Sequence, residues 1–425
     1  MTSRELLRSL ALNQSENMKS KNKGIERKLL NGIVKKKSLK HAFVITGARR
    51  SGKSTLLLQL MEKCYKETDY YYFSFDDERL VDFAADDFEA LLEVMIELFG
   101  KRKIFFMDEV QNVSGWERFV KRLHDNGFKF IITGSNAHLL SVELSTHLTG
   151  RHIDFLLFPF SFEEYLYFCK LYYDNKSLYL TEKKAEISKL FQKYMQYGGF
   201  PEMVEENDYE ILKRLFEDIV YKDVAVRYKI RDAANLKDIA LYLLSNVGNS
   251  ITYNKIKNSF DLGSVHTAQN YAEYLSNAFL FMYVEIFSYS SKQRLKSPRK
   301  VYAIDTGLVN ALSASLSKDS GRMLENIVFL ELKRRGKEIF YWKNNSGHEV
   351  DFVLKEGRKL SQAVQVCYSI DDAETKKREV SALLTCMKHF GLKSGLIITN
   401  SFEGEENISG KKIIFMPAWK WLLGI

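Results

Sequence analysis

The chain has 425 residues, 45% of them hydrophobic, a formal net charge of +9 and 4 prolines. These values predict two to three folded domains with sizeable cores and exclude long disordered linkers. Its four cysteines lie far apart without C-x-x-C spacing, so we expect neither a disulfide framework nor a zinc cluster. No apolar run reaches the ~18 residues needed to cross a bilayer, and residues 1–22 lack the apolar core of a signal peptide. We therefore expect a cytoplasmic protein without a membrane partner.

Residues 1–40 read as a basic, helical N-terminal segment. They contain eleven Lys and Arg residues against three Glu residues, an excess of eight positive charges, whereas the rest of the chain is nearly neutral. Such a charge run either contacts nucleic acid or forms a solvated face, and the sequence leaves both alternatives open.

A short apolar run at residues 41–46 predicts a buried strand, and the next nine residues fit G-x-x-x-x-G-K-[ST]. A strand, this loop and then a helix predict a site for ATP. In such a loop the backbone N–H groups surround the β-phosphate, Lys53 contacts the β- and γ-phosphates, and Ser54 ligates Mg²⁺. The dipole of the following helix favours the anion. The predicted nucleotide-binding residues are Gly47, Ala48, Arg49, Arg50, Ser51, Gly52, Lys53, Ser54 and Thr55.

A second strand, residues 104–107, runs into Asp108 and Glu109. Asp108 suits the Mg²⁺ site through water, and Glu109 suits the general base that polarises the attacking water. A third strand, residues 128–133, is followed by Asn136, which either senses the γ-phosphate or caps a helix. Alternating strands and helices over residues 41–160 indicate a parallel sheet with crossover helices.

Residues 161–232 read as a helical lid region, and residues 233–310 have the spacing of a winged helix. In a DNA-binding winged helix, polar side chains of the third helix face the groove and basic side chains of the wing face the phosphates. The groove residues would be Ser264, His266, Thr267, Gln269 and Asn270. The phosphate contacts would be Lys292, Arg294, Lys296, Arg299 and Lys300. A packing or protein-contact module fits the same spacing, so this alternative stays open.

Several motifs in fixed order give the chain a family resemblance over nearly its whole length. It resembles the AAA-type P-loop ATPases of archaea and bacteria that carry an uncharacterised C-terminal domain. The resemblance rests on Trp116 and on residues 47–55, 75–80, 108–111, 133–136, 148–151, 159–164, 197–202 and 218–223. It implies ATP binding and hydrolysis. Arg151 matches the arginine after the third strand, which is an arginine finger or sensor for the γ-phosphate of its own or a neighbouring subunit, or a structural ion pair.

Residues 311–425 give the predicted order αβββαβ, which is similar to the restriction-endonuclease-like nuclease core. In such nucleases a helix Glu, a strand Asp and an acid two residues before a lysine assemble a metal site. Glu325, or Glu331, and Asp351 match the first two positions. However, Gln365 replaces the second acid, and Cys367 replaces the lysine. We therefore expect a degenerate nuclease site that binds or supports rather than cleaves.

The sequence thus predicts an α/β protein with a P-loop NTPase parallel sheet, a helical lid, a winged-helix region and a C-terminal nuclease-like α/β domain. Its predicted function is ATP binding and hydrolysis with Mg²⁺, driving a conformational switch that acts on DNA, in a monomer or a homo-oligomer. Two alternatives remain open at this point. The first is an ATP-gated, metal-dependent nuclease, and the second is a regulatory ATPase that acts on proteins without nucleic acid.

Overall fold

The computed structural model describes residues 2–136, 150–174, 176–313 and 319–425. It divides into two compact units, one formed by Met1–Phe158 and Asn277–Phe279, and the other by Pro159–Ser276 and Leu280–Ile425. The predicted α/β class with a parallel P-loop sheet is confirmed. The five-part division at residues 40, 160, 232 and 310 is finer than these units and stays a prediction. Leu148 and Thr149, from the motif that precedes Arg151, lie outside the described residues.

The first unit is built on a parallel sheet of five strands in the order β2-β3-β4-β1-β5. The strands are β1 (Ala42–Thr46), β2 (Tyr70–Ser74), β3 (Ile104–Asp108), β4 (Lys129–Gly134) and β5 (His152–Leu156). The helices are α1 (Arg4–Ser20), α2 (Lys28–Val34), α3 (Lys53–Cys64), α4 (Phe88–Phe99) and α5 (Trp116–Asp125).

The strands of this sheet are continuous apolar runs because both faces are covered by helices. Along β1, Val44 packs in a core with α1, α4 and α5, whereas the neighbouring Phe43 packs on the opposite face with α2 and α3. Along β3, Phe105 and Phe106 divide between the two cores in the same way. The parallel direction of the strands brings their carboxyl ends, and the loops that follow them, to the same side of the sheet.

The basic N-terminal segment is part of this unit. Leu7 and Leu10 of α1 are fully buried in the core beside α4. On the outer face of α1, Arg4 pairs with Glu93 and Glu97 of α4, and Arg8 also pairs with Glu97. Part of the positive charge of residues 1–40 is therefore neutralised within the unit. This favours a solvated face over a nucleic-acid contact for α1.

The second unit begins with a helical segment. Its helices are α6 (Phe162–Phe168), α7 (Thr181–Tyr197), α8 (Pro201–Glu206) and α9 (Tyr209–Glu217), followed by a π-helix (Asp218–Val226). The turn after α7 is held by the buried Asp305, which accepts a hydrogen bond from the Gly199 N–H at 2.7 Å. A Cβ at Gly198 would lie 1.9 Å from Asp305 Oδ1, so this turn requires glycine. Burial raises the pKa of Asp305 to about 6, although backbone N–H groups, including that of Gly199, lower it.

A small antiparallel sheet with the order β6-β8-β7 follows. Its elements are α10 (Ala233–Ser245), β6 (Ser250–Ile251), α11 (Tyr253–Ser259), α12 (Val265–Asn277), β7 (Phe281–Val284), α13 (Ser291–Lys296) and β8 (Arg299–Ala303). They follow the order expected for the winged-helix-like region, with α13 in the connection between β7 and β8. A winged-helix identity stays a prediction.

The C-terminal part of the second unit carries a mixed sheet of six strands in the order β13-β14-β12-β11-β10-β9. The helices are α14 (Thr306–Leu312), α15 (Ser320–Arg334), α16 (Ala373–Phe390) and α17 (Ala418–Leu423). The strands are β9 (Glu338–Lys343), β10 (Glu349–Glu356), β11 (Lys359–Cys367), β12 (Ser394–Thr399), β13 (Gly404–Ile408) and β14 (Lys411–Pro417). The predicted order αβββαβ continues with β13, β14 and α17, which the sequence reasoning did not include. Across the described ranges, no helix is both long and apolar enough to cross a membrane.

Candidate functional site: a phosphate loop and two carboxylates

The loop between β1 and α3 is tightly fitted to the end of β5. A Cβ at Gly47 would lie 2.2 Å from the carbonyl oxygen of Leu157, so only glycine fits there. Gly52 has a φ of 95° and caps α3, which begins at Lys53. The predicted order of strand, loop and helix is therefore present, and the N-terminal end of α3 adjoins the loop, where its dipole favours an anion.

Lys53 is held inside this loop. Its Nζ donates hydrogen bonds to the carbonyl oxygens of Gly47 and Ala48, each at 3.2 Å, and pairs with Glu109 Oε1 at 3.2 Å. The side chain is 3% exposed. Within the described ranges, Glu109 is the carboxylate in ion-pair contact with this ammonium, so the predicted phosphate-binding lysine lies directly against the predicted general base.

Asp108, at the end of β3, is surrounded by hydroxyl groups. The Thr133 hydroxyl donates to Oδ1, the Tyr72 hydroxyl donates to Oδ2 at 3.3 Å, and the Ser54 hydroxyl also hydrogen-bonds to this carboxylate. Burial, followed by the charge of Glu109, raises the pKa of Asp108, whereas the hydrogen bonds from Thr133 and Ser54 and the charge of Lys53 lower it. The two predicted Mg²⁺ residues, Ser54 and Asp108, therefore lie in direct contact.

Glu109 occupies a tight turn after β3 with a φ of 52°. Its N–H donates to the Thr133 hydroxyl at 3.0 Å, and its Oε2 accepts a hydrogen bond from Gln111 Nε2. Burial raises the pKa of Glu109, but the charge of Lys53 and the hydrogen bonds from Gln111 and Lys53 bring it below its ordinary value. The carboxylate is consequently ionised at neutral pH, which a general base requires.

The end of β4 lies between these two groups because β4 pairs with β1 on one side and with β3 on the other. Asn136 is fully buried there, and the neighbouring Ser135 hydroxyl accepts a hydrogen bond from Gln111 Nε2 at 3.3 Å. The strand order therefore brings Asn136 to the edge of the sheet that carries the phosphate loop. Its role as a γ-phosphate sensor stays a prediction.

Arg151 lies at the other end of the strands, directly before β5 begins. Its carbonyl oxygen accepts a hydrogen bond from the N–H of Ala42, the first residue of β1, and its side chain pairs with Asp125. Because β1 and β5 are parallel, the whole length of β1 separates Arg151 from the loop. The structure does not bring Arg151 to the phosphate loop of its own chain, which leaves the structural ion pair and a role in a neighbouring subunit.

The residues of the loop fit a nucleotide with Mg²⁺. The buried hydroxyl of Ser51 makes no hydrogen bond to any residue in the described ranges, so a polar atom of the loop has capacity for a ligand. Gly47 keeps the loop free of a side chain at its tightest point, and Ser54 and Asp108 present hydroxyl and carboxylate oxygens, which Mg²⁺ prefers.

Arg27 is a supporting residue that the sequence reasoning missed. Its guanidinium donates to the carbonyl oxygen of Ser51 at 2.8 Å and to that of Phe158 at 2.7 Å, and the residue is 3% exposed. It therefore ties the phosphate loop to the chain that follows β5. In the sequence, Arg27 does not differ from the other basic residues of the N-terminal segment. Its role depends on a tertiary contact with Ser51, which lies twenty-four residues further along the chain.

The second unit holds another cluster of charges, around Lys300. The sequence reasoning placed Lys300 against DNA phosphates, and this was wrong: its side chain is 3% exposed and contacts carboxylates of α15 and β10. Its Nζ lies 3.1 Å from Glu325 Oε1, 2.9 Å from Glu349 Oε1 and 2.9 Å from Asp351 Oδ1. Glu325 and Asp351 therefore both contact Lys300, while Glu349 was missed; that Glu325 and Asp351 form a degenerate nuclease site stays a prediction.

The remaining predicted residues of that site do not contact Lys300. Gln365 accepts a hydrogen bond from the Asp351 N–H at 3.2 Å and donates to Glu379 at 2.6 Å. The alternative helix acid, Glu331, pairs with Arg335 at 2.9 Å. Burial raises the pKa of the Cys367 thiol to about 11, so it supplies no charge.

Only part of the predicted DNA-contacting surface is exposed. Lys292 and Lys296 of α13 are exposed, whereas Arg294 is half-buried and donates to the carbonyl oxygen of Ser288 at 3.0 Å. Arg299 pairs with Glu285 at 3.0 Å. Of the predicted groove residues, Ser264, His266 and Gln269 are exposed, while Thr267 and Asn270 are half-buried.

Comparison with known proteins identifies an AAA domain in the first unit. An AAA domain matches residues 39–166, and two domains of unknown function (DUF8612 and DUF4143) match residues 188–320 and 320–421. The chain is 37% identical to an uncharacterised protein of Methanocaldococcus jannaschii, over 95% of this chain and 91% of that protein. It is 32% identical to an uncharacterised protein of Haemophilus influenzae, over 88% and 93%. The chain belongs to the family of AAA-domain proteins that these relatives represent.

Solved structures are more distant. The Aeropyrum pernix ORC1 protein in complex with DNA has a TM-score of 0.30 and 12% identity, covering 67% of this chain and 91% of that chain. AMPPCP-bound DnaA from Aquifex aeolicus has a TM-score of 0.24 and 17% identity, covering 59% and 87%. Similarity at this level supports no argument about function.

Proposed function

We propose that the protein hydrolyses ATP at the phosphate loop and uses the nucleotide to drive a conformational switch that acts on DNA. The observation that carries the ATPase part is the convergence of Lys53, Ser54, Asp108 and Glu109 at one edge of the parallel sheet. A purely structural role does not account for a glycine-lined loop, a buried lysine and two adjacent acids in one place.

Each residue has a distinct part in this proposal. Lys53 exchanges its contact with Glu109 for the β- and γ-phosphate oxygens, and Ser54 and Asp108 would hold Mg²⁺. Bound Mg²⁺ supplies positive charge against the phosphate oxygens. Glu109, ionised and oriented by Gln111, accepts a proton from the water that attacks the γ-phosphorus. Thr133 fixes Asp108 and Glu109 relative to each other through one hydroxyl.

Two substitutions test the site. Lys53→Ala should abolish nucleotide binding, because the backbone alone does not neutralise the phosphates. Glu109→Gln should retain binding but slow turnover at least ~10²-fold, the scale of a lost general base. Phosphate release and nucleotide titration measure the two effects, with Lys63→Ala on the outer part of α3 as the control. Wild-type turnover in both variants would disprove the assignment.

Arg151 extends the proposal to assembly. Because it lies a strand length from its own loop, an arginine-finger role requires a neighbouring copy of the chain, in a homo-oligomer. Turnover per protein should then rise with protein concentration, and Arg151→Ala should lose about 10³-fold in kcat. Asp125→Asn removes only the intramolecular partner and serves as the control. Equal specific activity at all concentrations and normal turnover in Arg151→Ala would leave the structural ion pair alone.

The DNA part rests on the exposed groups around α12 and α13. Lys292 and Lys296 offer positive charge, and the exposed Gln269 offers an amide that can read base edges. Val265, at the start of the helix that carries Gln269, lines the same pocket as Lys296, which supports a winged-helix arrangement. If the protein shows no salt-dependent affinity for DNA, the protein-directed alternative replaces this part and the ATPase part is unaffected.

A further inference from the structure

Lys300 is the central charge of a buried cluster that joins three parts of the second unit. It belongs to β8, its partner Glu325 belongs to α15, and Glu349 and Asp351 belong to β10. A lysine this deeply buried is held only by excellent ion-pair geometry. All three carboxylates contact the same nitrogen at 2.9–3.1 Å.

Most oxygens of this cluster already accept a hydrogen bond or an ion pair. Asp351 Oδ1 accepts from Lys300, and its Oδ2 accepts from the N–H of Val366 at 3.0 Å. Glu325 Oε1 is shared between Lys300 and the Tyr302 hydroxyl, which lies 2.6 Å away. The Gln365 side-chain oxygen accepts from the Asp351 N–H. A divalent cation such as Mg²⁺ or Mn²⁺ needs about six oxygen ligands, so it would have to displace these bonds.

We propose that the ammonium of Lys300 is the resident cation of this carboxylate cluster, in the place that a divalent metal would take in a nuclease. Among the described residues, no group of three or more His, Cys, Asp or Glu side chains is arranged to hold a metal ion. The cluster therefore fixes β8 onto the C-terminal sheet and does not cleave nucleic acid. This inference does not depend on the proposed ATPase activity, and it opposes the nuclease alternative.

The charge balance agrees with this assignment. Lys300 faces three carboxylates, and Glu349 also pairs with Lys343 at 3.1 Å, so two ammonium groups meet three carboxylates and the cluster does not attract a phosphodiester. Burial, and next the charge of Asp351, raise the pKa of Glu325 to about 7, so a proton on Glu325 relieves part of the excess negative charge. A nuclease lysine, in contrast, must reach substrate, and Lys300 has almost no exposed surface.

A second contact shows what the cluster secures. Asn326, fully buried on α15, donates to the carbonyl oxygen of Ala303 at 3.0 Å and accepts from the Ala303 N–H at 2.8 Å. Ala303 ends β8, so both halves of this strand are tied to α15. The exposed lysines of α13 precede β8 directly, and the cluster thereby fixes the base of the basic hairpin.

Mn²⁺ titration of the nucleotide-free, full-length protein tests the proposal by calorimetry. Wild-type protein and Asp351→Asn should bind Mn²⁺ equally, because the carboxylates do not serve as ligands while Lys300 is present. Lys300→Met should gain a Mn²⁺ site, with binding tighter by about tenfold or more, and adding Asp351→Asn should remove it. Lys296→Met, an exposed lysine four residues away, is the matched control and should gain nothing.

The comparison of wild type with Asp351→Asn decides the question even if Lys300→Met does not fold. A stoichiometric Mn²⁺ site in the wild type that disappears in Asp351→Asn, and also in Glu349→Gln, would overturn the proposal. So would a folded Lys300→Met protein, by circular dichroism, that gains no Mn²⁺ affinity. Both readouts are independent of ATP turnover, so they do not depend on whether the proposed hydrolysis is correct.

Discussion

Two buried lysines of this protein face carboxylates, but with opposite charge balance. The side chains of Lys53 and Lys300 are each 3% exposed. Lys53 has two backbone carbonyls and one carboxylate as partners, whereas Lys300 has three carboxylates. The same residue type therefore builds two different kinds of site.

This difference in the number of carboxylate partners explains which of the two lysines can bind an anionic ligand. Around Lys53 a phosphate oxygen can take the place of the single carboxylate, because the carbonyls remain and the charge stays balanced. Around Lys300 the three carboxylates still outnumber the two ammonium groups of Lys300 and Lys343, so a phosphate would add negative charge to that excess. A buried lysine in an ion pair does not by itself indicate a binding site for an anion. The number of carboxylates that already contact the lysine decides whether a further anion can bind.

The largest expected effect comes from removing each lysine in turn. Lys300→Met leaves the buried Asp351 and the largely buried Glu325 without their cation, while Glu349 keeps Lys343, so we expect a loss of about 3–5 kcal/mol in the free energy of unfolding. Lys53→Met leaves only Glu109, still bonded to Gln111, and should cost clearly less. Urea unfolding measures both, and the exposed Lys296→Met should stay within about 0.5 kcal/mol of wild type. Equal losses for Lys53→Met and Lys300→Met would break the comparison.

The sequence predicted the first of these sites better than the second because its chemistry is local. Residues 47–55 and the Asp108–Glu109 pair follow strands directly, and parallel strands bring their ends to one edge. Lys300 could not be placed this way, because its partners lie 25, 49 and 51 residues further along the chain. Its neighbours in sequence are basic, which indicated a solvated wing.

The same reasoning applies to the fold. Apolar runs predicted β1, β3 and β4 to within about two residues at each end. The apolar runs did not predict β13, β14 and α17. In β13 the alternation of apolar and polar residues is weak, and two of its five residues are charged. Thr133 and Arg27 were missed for a different reason: a hydroxyl or guanidinium acquires its role only from the tertiary contact.

A smaller effect is expected from Arg27, which supports the phosphate loop without touching a ligand. Arg27→Met removes two hydrogen bonds from a charged donor, each worth about 1.5–3 kcal/mol, and should loosen the loop. We expect KM for ATP to rise about tenfold while kcat changes little, because Asp108 and Glu109 keep their contacts. Arg27→Lys should not restore the wild-type KM, since one ammonium cannot span the carbonyls of Ser51 and Phe158 as the planar guanidinium does.

Steady-state kinetics separates this role from general destabilisation. Arg8→Met, on the exposed face of α1, removes an arginine that pairs with Glu97 and should leave both constants unchanged. A fall in kcat for Arg27→Met without a change in KM would contradict a positioning role for Arg27. The result would also show whether the loop around Lys53 needs support from the N-terminal segment.

The smallest effect concerns the surface next to the Lys300 cluster. If Lys292 and Lys296 contact DNA phosphates, replacing both by Ala should flatten the slope of log K against log salt by about 2 units, since each phosphate contributes about 0.9 on duplex DNA. Adding Arg299→Ala should change the slope little, because Arg299 already pairs with Glu285. Gln269→Ala should instead alter the preference among sequences. Deleting residues 1–24 would not be a clean test of the basic N-terminal segment, because Leu7 and Leu10 belong to the core. Binding that is insensitive to salt, with or without ATP, would exclude this surface as a DNA contact and favour a protein partner.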